Sequence, residues 1–178
     1  MDKLVSEVFD LIEKASSKEE KISILKKYDH PPVRAMLSLN YNPSIKLNLP
    51  EGDPPYRKEE KPIGYQQTTL LLELRRFYIW MNDNVQLPKV KRETLFIEML
   101  EGLHWTEARL LLAAKDRNLT KLYPSITENL VRESYPDIFP FPPTEEVEEP
   151  KKLVSSKKSS ASSRNTKKKS QEESVGQT

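Results

Sequence analysis

Apolar residues recur at helical spacing from the start of the chain. Leu4, Val5, Val8, Leu11, Ile12 and Ala15 share one face of residues 2–15, with charges opposite. This predicts an amphipathic first helix. Ser17 followed by Glu20 has the form of a capping box, in which the hydroxyl accepts a free backbone N–H and the carboxylate reaches back. It opens a second helix to about Tyr28, inward through Ile22, Ile24 and Leu25. His30 reads as a turn residue before Pro31 and Pro32, which suit a helical first turn. Val33, Met36, Leu37 and Leu39 then predict a short third helix ending near Asn40.

The pattern changes over residues 41–65. Ile45, Leu47 and Leu49 alternate with polar residues, as in an extended segment with one face inward. The proline-rich stretch LPEGDPPYRKEEKPIG follows and cannot be regular helix. A connection this long inside a domain is usually functional or mobile. Leu70 to Met81 then predicts a central helix with Leu70, Leu71, Leu74, Phe77, Tyr78 and Met81 inward. On that wheel Trp80 falls off the apolar face, free to pack against the long loop or a partner. Asn82-Asp83-Asn84 ends this helix. Pro88 begins a fifth helix that runs to Glu101 and stops at Gly102. Thr106 is expected to cap a sixth, through about Lys115. Ser125 with Glu128 forms a second capping box, opening a seventh helix to about Ser134. The reading is all-α: a compact bundle of about seven short helices over residues 1–143, with one extended proline-rich loop.

From Thr144 onward large apolar residues almost vanish. Such a segment cannot bury enough surface to offset its ordering entropy, so residues 144–178 are expected to be a disordered tail. Charge sharpens this boundary. Residues 1–143 carry 21 basic and 21 acidic side chains. Residues 144–150 add four glutamates, and residues 151–178 carry eight Lys or Arg against two Glu. A net charge of +2 thus hides a neutral body followed by an acidic and then a basic Ser/Lys segment. The chain has no cysteine, which excludes disulfides and thiolate metal sites. An intracellular, soluble protein is expected. The N-terminus lacks the apolar core of a signal peptide, and no stretch is long and apolar enough for a membrane span.

Recognisable catalytic chemistry is missing. There is no phosphate-cradling glycine loop, nucleophile elbow or zinc-protease helix pattern. His104 beside Trp105 reads as a helix-junction residue. No cofactor, metal or enzymatic activity is expected. The basic side chains near helix ends are the better candidates: Lys89, Lys91 and Arg92 at the fifth helix, Arg75 and Arg76 on the fourth, and Lys115, Arg117 and Lys121 around the turn after the sixth. Cations at helix ends can reach a phosphate backbone without burying themselves. Glu93, Glu98 and Asp116 lie close by in sequence, as on an ordinary solvated surface. In the tail, Lys167, Lys168 and Lys169 would add salt-sensitive attraction to a polyanion.

Two resemblances extend this picture. SKEEKISILKKYD, LNLPEGDPPYRKEEKPIG, RRFYIWM and the run from Arg92 to Asp137 together resemble an uncharacterised family of tailed-bacteriophage proteins, especially of myovirus-like phages of marine bacteria. That resemblance implies a phage source, the cytoplasm of an infected host, and association with a replication or virion protein. More distantly, the order of elements is similar to the N-terminal DNA-binding domain of phage-type ATP-dependent DNA ligases. KEEKISILKKYD, VRAMLSLNYNPSIKL and LLLAAKDRNLTKLYPSITENLVRESYPDIF stand where such domains have two helices, an extended piece, and a helix, basic turn and capped helix. This resemblance implies duplex DNA as partner, with Lys115, Arg117, Lys121 and Ser125 as contacts. The adenylation motif Lys-x-Asp-Gly is absent, and Asp116 lies in the basic turn without the glycine typical of ligases. The expected function is noncatalytic binding or recruitment to DNA during replication, recombination or repair. The alternative is a protein-interaction or virion-associated module on the same fold.

Overall fold

The computed structural model describes residues 3–81 and 86–139, and every described element is helical. The chain divides into two units, Met1–Thr144 and Glu145–Thr178, and all described residues belong to the first. The expected helix stop at Asn82-Asp83-Asn84 and the expected tail lie outside the described residues.

The first helix, α1 (Val5–Lys14), buries Val5, Val8, Phe9 and Ile12. Its N-terminus is closed by Glu7, which accepts the Leu4 N–H at 2.9 Å. Helix α2 (Lys18–Lys27) starts where Ser17 accepts the Glu20 N–H at 3.1 Å. Glu20 reaches back to Ser16 N at 3.1 Å, one residue before the expected partner. Helix α3 runs from Pro31 to Tyr41, with His30 at the cap position and Pro31 and Pro32 in its first turn.

Between α3 and the next helix the chain is extended. Leu47 is buried, while Ile45 and Leu49 are half-buried, so the alternation places one side inward without forming a strand among the described residues.

The segment expected to be one central helix is broken. Helix α4 (Leu70–Glu73) passes into a 3-10 turn, Leu74–Arg76, and then into α5 (Tyr78–Met81). Each 3-10 residue advances about 120° rather than about 100°, so three of them add roughly 60° of rotation. The inward positions therefore move one residue earlier. Phe77 and Trp80 are buried, whereas Tyr78 and Met81 face outward with Leu71. Trp80 is a core residue, and its backbone carbonyl accepts the Asn48 N–H of the extended segment at 2.7 Å. Its ring meets Phe77 and Phe96 edge-on at 6.1 and 5.7 Å, and its indole N–H donates to Arg92 O at 3.0 Å.

Helix α6 (Lys89–Gly102) leads into α7 (Trp105–Lys115). Gly102 is small for a reason: its carbonyl accepts Gln67 N and Thr68 N, and an added Cβ would meet the Thr68 side chain at 3.1 Å. The cap of α7 is His104, not Thr106. Helix α7 is the centre of the bundle, with Ala108, Leu110, Leu111 and Ala114 fully buried and α1, α3 and α6 packed around it. A short α8 (Leu119–Leu122) and α9 (Glu128–Ser134) complete the bundle, and α9 packs on α2. Thr127 rather than Ser125 caps α9, accepting Leu130 N at 3.3 Å.

Candidate nucleic-acid interface

The turn after α7 reverses at Arg117, whose φ of 56° is left-handed. Only glycine adopts this region without steric cost, so the surrounding contacts must hold Arg117 there. They come from its guanidinium: Nη2 lies 3.1 Å from Pro43 O and 3.4 Å from both Asn42 O and Ile45 O. Asn40 Oδ1 then accepts Leu119 N at 3.0 Å and fixes the start of α8. The basic turn thus grips the chain's own extended segment.

Lys115 and Asp116 do the same one step further along. The Lys115 side chain is only 3% exposed, and its Nζ donates to Pro50 O at 2.9 Å while pairing with Asp116. The second Asp116 oxygen accepts Gly52 N at 3.1 Å. Gly52, at φ 86°, supplies the left-handed bend that turns this N–H inward. Adjacent residues at the end of α7 therefore hold one carbonyl and one N–H of the proline-rich strap. Further along, Glu101 accepts Arg57 N at 2.9 Å, His104 Nε2 bonds Lys61 O at 2.9 Å, and Lys58 Nζ sits 4.4 Å from the Trp105 ring centre. Since the Lys61 carbonyl can only accept, His104 carries its proton on Nε2 and its Nδ1 faces Thr106 Oγ1 at 2.7 Å. Burial pushes the Tyr56 phenol on the strap upward.

Two shallow grooves flank the extended segment. One, of about 410 Å³, is lined by Lys46, Leu47, Asn48, Leu49, Pro50, Leu87, Lys89 and Arg92. It has three cations and no carboxylate in its wall. Lys89 is 82% exposed, with Glu93 4.0 Å away. The other groove, of about 520 Å³, shares Lys46, Leu47 and Leu49 and adds Glu51, Lys115, Asp116 and Arg117. Lys46 stands between them. The structure thus brings Lys89 and Arg92 to one side of the segment and Lys115 and Arg117 to the other. Lys121 is exposed in a separate hollow with Asp53, Tyr56, Arg109 and Asp116. Ser125 is half-buried and donates its N–H to Glu13 at 2.7 Å. Lys167, Lys168 and Lys169 lie outside the described residues.

Sequence reasoning missed Lys46. The signal was present: between inward Ile45 and Leu47, a period of two sends residue 46 outward. Among the described residues no group of three or more His, Cys, Asp or Glu could hold a metal ion, and no helix is long and apolar enough to cross a membrane.

Residues 8–121 match a family of unknown function, DUF6433, and the chain belongs to that family. The matched span contains both grooves and the turn that grips the strap. No curated protein and no solved structure matches the chain.

Proposed function

We propose that this member of the DUF6433 family is a noncatalytic module that binds the backbone of duplex DNA through the groove beside residues 46–50. The carboxylate-free wall formed by Lys46, Lys89 and Arg92 carries this reading. Three cations around a shallow trough can neutralise successive phosphates, and the released counterions drive binding that falls steeply with salt. Cation-to-phosphate contacts of this kind position the protein without specifying sequence. Lys115 and Arg117 enter differently than the ligase resemblance implied. Their donors hold the strap and the 42–45 carbonyls, and their role is to shape the groove edge. In a phage setting the module would be recruited to DNA during replication, recombination or repair in the host cytoplasm.

Fluorescence anisotropy of the full-length chain against duplex, nicked and single-stranded DNA at two salt concentrations tests this. The K46E/K89E/R92E variant is expected to lose at least about tenfold in duplex affinity at low salt, with a shallower salt slope. No binding of the wild-type chain at low salt would overturn the proposal. So would a K46E/K89E/R92E variant that binds as tightly as wild type.

A further inference from the structure

The run from Leu70 to Met81 contains more large apolar side chains than the core takes up. Leu70, Phe77 and Trp80 are buried, but Leu71, Leu72, Tyr78 and Met81 are 49%, 51%, 56% and 41% exposed. Residues 71, 75, 78 and 81 follow at steps of four, three and three, which stacks them on one helical face. The exposed apolar side chains therefore lie along a face about 15 Å long, from ten rises of about 1.5 Å between Leu71 and Met81, with Arg75 between the Leu71–Leu72 pair and Tyr78. Scattered exposed leucines need no explanation, whereas a contiguous stripe marks an interaction surface.

One charge sits in the middle of this stripe. Arg75 is exposed between the Leu71–Leu72 pair and Tyr78. Its neighbour Arg76 is already neutralised by Glu73 at 2.9 Å, and Glu73 is buried and also accepts the Thr68 hydroxyl. Arg75 decides what can cover the face. In a two-fold dimer the same patch meets itself. Pairing two such stripes antiparallel would set the central Arg75 against its own copy, a like-charge contact that costs affinity. A partner helix with apolar residues at the same spacing and a carboxylate opposite Arg75 fits instead, apolar to apolar and charge to charge.

We infer that the Leu71–Met81 face docks an acidic amphipathic helix of another protein, with Arg75 receiving the carboxylate. Neither Arg75 nor the apolar stripe lines the grooves beside residues 46–50, so this inference stands apart from the DNA reading.

The test uses the full-length chain and two labelled helical peptides with one leucine pattern, flanked in one by glutamates and in the other by lysines. The glutamate peptide is expected to bind about tenfold or more tightly than the lysine peptide. R75E should reverse that preference, and L72S/Y78S should abolish binding of both peptides. Circular dichroism confirms that these surface variants remain folded. Equal affinity for the two peptides, no binding of either, or an unchanged preference in R75E would each overturn the inference. Sedimentation as a dimer that L72S/Y78S dissolves would assign the face to a second copy and overturn it. Peptide binding gained only on deletion of residues 144–178 would assign it to the chain's own acidic segment, with the same consequence.

Discussion

Glu107 is a carboxylate placed where water hardly reaches it. It is 1% exposed and accepts Val5 N at 3.3 Å and Leu70 N at 3.2 Å, tying the starts of α1 and α4 to α7. Burial pushes its pKa above the usual carboxylate range, and the two N–H bonds oppose that push. A folded-state pKa above the unfolded value favours the native state fully below the unfolded pKa, and that advantage is lost as pH rises through the folded pKa. Glu107→Gln removes the ionisation, so its stability relative to wild type should improve as pH rises above the unfolded carboxyl pKa and through the raised folded one. Urea unfolding at several pH values measures this; a constant difference would refute the assignment. Glu107→Ala leaves two buried N–H groups without an acceptor and should cost about 2–6 kcal/mol, from about 1–3 kcal/mol for each unmet group. Trp80→Ala empties the largest fully buried site, flanked by Phe77 and Phe96, and should cost about 3–5 kcal/mol. The same denaturation assay reads it. Neither role is legible in the sequence. Trp80 falls off the wheel of a regular helix, and the two N–H donors to Glu107 lie 102 and 37 residues away in sequence.

Among the elements, those set by local chemistry are the legible ones. Ser17 and Glu20 start α2 because the cap needs only residues within one turn. Pro31 starts α3 for the same reason. The run 70–81 escapes such a reading because its winding depends on what packs against it. The strap is the opposite case, since its prolines exclude helix but cannot say what holds it. Asp116→Ala removes the acceptor for Gly52 N–H. Limited proteolysis should then cut near residues 50–57 several-fold faster, and global stability should fall as well because the buried Lys115 ammonium loses its carboxylate. An unchanged cleavage rate would mean that Asp116 does not hold the strap. Replacing Lys115 with Met keeps its buried stem and removes the donor to Pro50, so it separates packing from the hydrogen bond.

At the scale of the molecule, two surfaces carry the proposed functions: the cationic groove beside residues 46–50 and the apolar stripe on residues 71–81. Together the two proposals describe an adaptor that would hold DNA with one surface and a protein with the other. The basic segment in residues 151–178 bears on the first. Its eight cations against two glutamates should steepen the salt dependence of DNA binding. Truncation after residue 143 should lower the slope of log affinity against log salt by about 0.9 for each phosphate that the tail neutralises. Binding that persists in the truncated chain with a reduced slope places the site in the helical unit. Complete loss would reassign it to the tail.

By itself the sequence determined the helical class, the cap at Ser17, the helix start at Pro31, the non-helical proline-rich stretch and the absence of familiar catalytic motifs. Each follows from spacing and from residues a few positions apart. Only the tertiary structure decided which apolar residues of 70–81 face inward, because that needed the added rotation of a 3-10 turn. It also decided which cations stand together. Lys115 and Arg117 are consumed by carbonyls more than 60 residues away in sequence, and Lys46 joins Lys89 and Arg92 across the fold. A side chain's charge is written in the sequence, but whether that charge is already spent depends on partners that only folding brings near.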